Sequence, residues 1–298
     1  MISFVNAKIN IGLQIVRRRA DGYHDLQTLF YPVGIHAGTP ENPTAFCDVL
    51  EVIRRDKRGF GFHLDNDCGC AMEKNLVWRA AELYFREYAS PDFGAEIWLE
   101  KHLPSGAGLG GGSVDAAFTL LALERLEREG RGEYGALADT ACRRLAETAL
   151  KLGADCPFFI YNRPMYAEGV GERLEDANLN LGGYSCVVVK PPVFVSTKEA
   201  FAGVVPRPGN CDLREAVKLP IEEWQGLIEN DFERSLFPQH PELEAIKERL
   251  LGLGASYASM SGSGSSLYGI FKDKAVAETA LQELQREATN GAVYLLKL

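Results

Sequence analysis

The chain has 298 residues, 46% of them hydrophobic and 24% charged, and a formal net charge of −9. That composition is globular and allows one large or two ordinary domains, while the acidic balance argues against a broad nucleic-acid or anionic-membrane surface. No apolar run approaches the roughly 20 residues that cross a bilayer, and the seven cysteines are scattered without a C-x-x-C pair.

Met1-Ile2-Ser3-Phe4-Val5-Asn6-Ala7-Lys8 lacks the basic and long apolar regions of a secretory signal, so a cytoplasmic location with reduced thiols is expected. Cys68-Gly69-Cys70 has no second pair to complete a zinc site. Residues 4–16 alternate imperfectly, with Ile9, Ile11, Leu13 and Ile15 against Lys8, Asn10 and Gln14, and predict a strand closed by a turn at Asp21-Gly22. Residues 23–33 and 48–53 read as further strands, separated by a loop over 38–43. Helical spacing of Leu76, Ala80, Leu83, Tyr84 and Tyr88 predicts a helix over 75–88, stopped at Ser90-Pro91. Asp92-Phe93-Gly94 reads as a turn, and residues 95–101 as a short strand.

The strand leads into Pro104-Ser105-Gly106-Ala107-Gly108-Leu109-Gly110-Gly111-Gly112-Ser113, with five glycines in seven positions. A long helix over 113–129 follows, with Ser113 at the N-cap, and then a second helix over 134–151. Beyond it a different rhythm suggests a second domain: a strand at 184–190, helices near 198–203 and 221–236, a helix at 242–251 and a strand at 256–260. The Ser261-Gly262-Ser263-Gly264-Ser265 loop, a strand at 267–271, a helix at 274–287 and a strand at 292–298 close the chain. That α-β-β-α-β ending fits a ferredoxin-like α+β sandwich.

Glycine residues and the unpaired N–H groups of a following helix converge on anions, so the glycine stretch reads as a phosphate cradle. Gly106, Gly108 and Gly111 satisfy G-x-G-x-x-G, but a dinucleotide unit requires a strand after the first helix, where a second helix is predicted here. A Walker A loop requires Gly-Lys-Ser/Thr, and no lysine follows Gly112. A flexible linker or a packing turn is the bland alternative, and it leaves five glycines between a strand and a long helix without a reason.

Three stretches, Ala7-Lys8-Ile9-Asn10-Ile11-Gly12-Leu13, the glycine loop and Met260-Ser261-Gly262-Ser263-Gly264, resemble the three motifs of the GHMP kinase superfamily. Arg19-Ala20-Asp21-Gly22-Tyr23-His24 and Gly153-Ala154-Asp155-Cys156-Pro157-Phe158-Phe159 are similar to the branch that phosphorylates the 2-hydroxyl of diphosphocytidyl methylerythritol in non-mevalonate isoprenoid synthesis. The resemblance spans nearly the whole chain. It implies an α+β, two-domain GHMP kinase fold: an N-terminal ribosomal-protein-S5-domain-2-like ATP-binding domain over 1–162 and a C-terminal ferredoxin-like, substrate-side domain over 163–298. It implies ATP and Mg2+, a small-molecule acceptor, and neither nucleic acid nor membrane as partner. Other GHMP small-molecule kinases, or a catalytically silent binding protein on the same fold, are the alternatives.

By position, the resemblance makes Lys8 and Asp155 the catalytic pair and Pro104 to Ser113 the triphosphate cradle, with Asn75 and Lys101 lining the adenine pocket. Asn10 is expected to reach the sugar-alcohol hydroxyls. His24 would hydrogen-bond cytosine and Tyr23 would stack on it, with Phe201 as the opposing aromatic wall. Read from the residues alone, Asp155 also fits a turn, Phe201 a core position, and Asn75 and Lys101 ordinary helix-start and strand positions. Lys8, inside an apolar strand, calls for a partner carboxylate. Val5 and Val114 depart from the superfamily pattern, which often has Pro and Ser there; the second leaves Ser113 as the only hydroxyl candidate for magnesium, and no carboxylate ligand is assigned.

Overall fold

A computed structural model describes residues 1–34, 46–65, 71–287 and 290–298; the loop expected over 38–43, and Cys68 and Cys70, lie outside the described residues. In chain order the first elements are β1 (Ile2–Val5), β2 (Ala7–Arg18), β3 (His24–Val33), β4 (Asp48–Arg55), β5 (Gly59–Leu64), α1 (Leu76–Glu87), β6 (Gly94–Glu100), α2 (Gly111–Gly130), α3 (Asp139–Leu150) and α4 (Cys156–Tyr161). There follow β7 (Met165–Gly169), β8 (Arg173–Asp176), β9 (Ser185–Lys190), α5 (Thr197–Ala202), α6 (Leu213–Ala216), α7 (Asp231–Leu236), α8 (Pro241–Gly252), β10 (Tyr257–Met260), β11 (Leu267–Phe271), α9 (Lys274–Glu287) and β12 (Ala292–Lys297). Among the described residues no helix is long and apolar enough to cross a membrane. The chain divides into two compact units that are not contiguous in sequence. The first comprises the described residues of 1–7, 38–105 and 110–163, the second those of 8–37, 106–109 and 164–298.

In the first unit a sheet of order β1-β4-β6-β5 pairs β4 antiparallel with β1 and β6, and β5 parallel with β6. The helix expected over 75–88 is α1, capped by Asn75, whose side chain accepts from the Val77 N–H at 2.9 Å. Its Val77, Ala80, Ala81, Tyr84 and Phe85 fall on one face and are buried against α2. Each large apolar side chain buried there contributes about 1.5–3 kcal/mol. The Asp92-Phe93-Gly94 turn leads into β6, with Phe93 buried and stacked on Phe85 at 5.5 Å.

Two expectations are corrected here. The cap of α2 is Gly110 and not Ser113, because Gly110 adopts a left-handed φ of 78° and its carbonyl accepts from the Val114 N–H at 2.9 Å, which starts the helix earlier. The helix expected over 134–151 begins only at Asp139, since 131–138 form turns around two glycines, and α4 is a separate short helix with Asp155 at its N-cap and Pro157 in its first turn.

In the second unit one sheet has the order β2-β3-β7-β8 and the other β10-β11-β9-β12, the latter wholly antiparallel. With α8 before β10 and α9 between β11 and β12, this second sheet has the expected ferredoxin-like order. Leu13 and Ile15 of β2 join Val187, Leu243, Leu250 and Leu267 in one core. The alternation in β2 predicted one solvated face, yet Lys8, Asn10 and Gln14 are as buried as their apolar neighbours, at 2%, 2% and 1% exposure. Burial obliges those polar groups to find partners. The expected helix over 221–236 is likewise not continuous. A 3-10 turn at Ile221–Glu223 gives way to extended backbone at Asn230, which bridges Leu13 and caps α7.

Candidate active site

Within the second unit the three motifs meet at one backbone carbonyl. The Gly108 oxygen accepts from Lys8 Nζ at 3.0 Å and from Ser261 Oγ at 2.9 Å. Around it the Lys8 N–H donates to the Leu109 carbonyl at 3.0 Å and the Ser266 N–H to that of Ala107 at 3.2 Å. Gly108 has φ +73°, and a Cβ there would run into the carbonyls of Ser261 and Gly264, so position 108 requires glycine on two counts. A Cβ on Gly262 would stand 3.1 Å from the Gly108 oxygen and 3.4 Å from Asn10 Oδ1.

Lys8 continues this network. Its Nζ donates to Asn10 Oδ1 at 2.6 Å and lies 5.2 Å from the centre of the Phe30 ring. Asn10 in turn donates to Thr28 Oγ1 at 2.9 Å, and its carbonyl accepts from the Tyr268 hydroxyl at 2.7 Å. Lys8 and Asn10 are therefore held as one buried unit, with the ammonium at the second motif.

The expected base-binding residues also gather in the second unit. His24 stacks face to face on Phe201, with ring centres 4.9 Å apart and planes 20° from parallel, and Phe201 meets Phe232 edge-on. The His24 and Phe201 rings are thus in direct contact. Tyr23, next to His24 in the chain, is 64% exposed, and its N–H donates to Asp21 Oδ1. Burial, helped by Arg18, holds the His24 imidazole below its ordinary range and favours the neutral ring.

In the first unit Ser113 is half-buried and hydrogen-bonds the Cys156 thiol, the residue after Asp155. Burial pushes that thiol up to about 12, with Ser113 and Asp155 acting in opposite senses, so Cys156 is a packed thiol and not a nucleophile. Asp155 is half-buried and makes no capping bond to α4. Asn75 uses its oxygen as the α1 cap. Lys101 ion-pairs with Asp48 and, at 2.6 Å, with Asp115. Burial alone would lower the Lys101 ammonium, but Asp115 and Asp48 outweigh it and hold it above its ordinary value. Asp48 also accepts from the N–H groups of His102 at 2.6 Å and Leu103 at 2.8 Å. Asp48 and Asp115, which sequence reasoning missed, thereby tie both stems of the glycine loop. The available signal was a carboxylate at position 115, set among Val114, Ala116 and Ala117 on α2. Among the described residues no three His, Cys, Asp or Glu side chains gather as a metal site.

A glycine loop whose Gly108 is held by Lys8 and by Ser261, next to a strand of a ferredoxin-like sheet, is the arrangement of the GHMP kinases. The family description "GHMP kinases N terminal domain" matches residues 75–163, and "GHMP kinases C terminal" matches residues 213–290. The chain is 45% identical over 275 residues to 4-diphosphocytidyl-2-C-methyl-D-erythritol kinase of Bacteroides fragilis, covering 91% of this chain and 92% of that one. It is 44% identical over 279 residues to the same-named protein of Porphyromonas gingivalis, covering 92% and 93%. A crystal structure of 4-(cytidine 5'-diphospho)-2C-methyl-D-erythritol kinase superposes over the whole of both chains with a TM-score of 0.78 at 34% identity. The chain belongs to the 4-diphosphocytidyl-2-C-methyl-D-erythritol kinase family of GHMP kinases.

Proposed function

We propose that this chain transfers the γ-phosphoryl group of ATP to the 2-hydroxyl of 4-diphosphocytidyl-2-C-methyl-D-erythritol, giving the 2-phosphate and ADP, a step of the non-mevalonate route to isopentenyl diphosphate. The observation that carries this reading is the convergence of Lys8 and Ser261 on the Gly108 carbonyl, in a chain 45% identical to a family member over nine-tenths of its length. The cradle residues 104–113 grip the triphosphate, and Asn75 and Lys101 border the adenine. His24, Tyr23 and Phe201 recognise the cytosine, an assignment supported by an aromatic cluster with a neutral imidazole. Asn10 addresses the methylerythritol hydroxyls.

Asp155 takes the proton of the 2-hydroxyl as that oxygen bonds to the γ-phosphorus and the bond from phosphorus to the ADP oxygen breaks. Lys8, its partner in the catalytic pair, offsets charge on the phosphoryl group. Mg2+, when bound, would supply further charge neutralisation at the triphosphate. The Ser113 hydroxyl, half-buried at the start of α2, is the side chain that would hold it.

A coupled ADP-release assay with the diphosphocytidyl acceptor, mevalonate and homoserine, on wild type and on Asp155→Asn, tests this reading. We expect turnover of the first acceptor alone, and a loss in Asp155→Asn of about a hundredfold or more with ATP binding retained. Turnover of mevalonate or homoserine instead would reassign the substrate. Wild-type turnover by Asp155→Asn would remove its role as base, and ATP binding without turnover of any acceptor would favour a silent binding protein.

A further inference from the structure

We propose that the run Asn230-Asp231-Phe232-Glu233 positions the third glycine motif for phosphoryl transfer, with Asn230 and Glu233 as the positioning residues. The inference rests on the kinase reading above and assigns a role to residues outside all of the sequence motifs.

Asn230, Asp231 and Glu233 are 1%, 6% and 7% exposed, an unusual density of buried polar groups for the start of a short helix. Each has its hydrogen bonds filled in a distinct direction. Asn230 Nδ2 donates to the carbonyls of Met260 at 2.8 Å and Gly262 at 2.9 Å, while Oδ1 accepts from the Phe232 N–H at 3.0 Å and caps α7. Glu233 Oε1 accepts from the Met260 N–H at 2.8 Å and from Ser259 Oγ at 3.0 Å, and Oε2 accepts from Lys247 Nζ at 2.5 Å. Asp231 turns the other way: its Oδ2 accepts from the Ile15 N–H at 2.7 Å and its Oδ1 from Arg207 at 2.8 Å. The Leu13 N–H donates to the Glu229 carbonyl at 2.9 Å beside it.

The run therefore holds β2, which carries the first motif, on one side and the backbone of residues 259–262 on the other. Two carbonyls, one on each side of Ser261, point at a single nitrogen. Only a side-chain amide offers two N–H donors from one atom together with an acceptor for the helix cap. With the peptides before and after it pinned, Ser261 directs its hydroxyl to the Gly108 carbonyl, which Lys8 also addresses. Asn230 thus acts one residue away from the place where the three motifs meet. An apolar residue would fill the same space but leave two buried carbonyls unpaired and Ser261 unaligned.

The test uses steady-state kinetics of the full-length enzyme. Asn230→Ser keeps a good N-cap for α7 but cannot reach both carbonyls. Asn230→Asp keeps the shape and the capping oxygen but turns a carboxylate towards them. Leu250→Ala, which opens a hole in the same core, is the control for general destabilisation. We expect Asn230→Ser to raise the ATP KM at least fivefold and lower kcat at least fivefold, with the acceptor KM within twofold and Asn230→Asp more affected. Leu250→Ala should lower Tm while leaving the ATP KM within twofold. Unchanged ATP KM and kcat in Asn230→Ser, or an equal KM shift in Leu250→Ala, overturns the proposal. If an Asn230 variant fails to fold, Glu233→Gln, which keeps the Oε1 acceptor but loses the Lys247 ion pair, should lower Tm yet keep the ATP KM within twofold of wild type, while Glu233→Ala reproduces the ATP defect; equal ATP KM values in the two overturn it. Amide hydrogen exchange reads the clamp without turnover, so it separates failure of this inference from failure of the kinase reading. Asn230→Ser should speed exchange in residues 259–263 and not in α9, and unchanged exchange there counts against the clamp.

Discussion

His24 lies against Phe201 with its imidazole held below the ordinary value of 6.5 by burial and, to a lesser degree, by Arg18. A histidine shifted down is neutral in the folded protein across neutral pH. Its contribution to stability is present above 6.5 and is lost as the pH falls below that value towards the folded pKa. The proposed recognition of cytosine by the neutral ring would inherit the same window. The acceptor KM should be flat from pH 8 to 6.5 and rise below, and His24→Gln, whose amide does not titrate, should abolish that rise. A KM profile of identical shape in both proteins would show that His24 does not read the base. The Asp-Gly-Tyr-His stretch made these residues legible as a group. The direct contact between His24 and Phe201 was not, because 177 positions separate them and only the packing of α5 brings them together.

Among the elements, α1 depends on its first residue. Asn75 accepts from the Val77 N–H at 2.9 Å, so Asn75→Ala should cost about 1 kcal/mol, within the usual 0.5–2 for such a cap, while Asn75→Asp should restore most of it. Urea midpoints of the three proteins check this. If Asn75→Asp is no more stable than Asn75→Ala, the cap is not what Asn75 contributes. Helices with a clean apolar period and an ordinary stop, such as α1, α8 and α9, stood out in the sequence. Three kinds of element did not. Gly110 opens α2 through a left-handed φ, which no side-chain cap signals. β7 and β8 are short, and the Arg-Leu-Glu-Asp of β8 carries no alternation that marks a buried face. The stretch before α7 has helical spacing, but Asn230 adopts extended backbone there because its amide is drawn to the third motif.

At the scale of the whole molecule, the ferredoxin-like order of the last sheet was readable because each of its strands and helices has its own local signal. The non-contiguous make-up of the two units was not: residues 8–37 join the C-terminal part through the pairing of β3 with β7, and nothing local in β3 announces that partner. The site was legible as motifs and illegible as a network. Gly108 was read as a phosphate ligand, whereas its carbonyl is also the acceptor for Lys8, 100 residues before it, and for Ser261, 153 residues after. The Tyr268 hydroxyl reaches the Asn10 carbonyl across 258 residues.

Those separations bear on how the molecule comes into being in time. Contacts this distant close late, because the loop entropy between their ends must be overcome before they are rewarded, whereas helices with local signals form early. On dilution from denaturant, far-UV circular dichroism should recover first and binding of a fluorescent ATP analogue in a later phase; simultaneous recovery would contradict this order. During synthesis the same logic applies in the direction of the chain. The glycine loop leaves the ribosome long before Ser261 and Tyr268 do, so a nascent chain carries its cradle sequence through 148 further residues of elongation, from Ser113 to Ser261, without the means to hold Gly108 in place. The ability to grip ATP then waits for residues 261–268, and nucleotide binding becomes a report that the third motif has reached the loop.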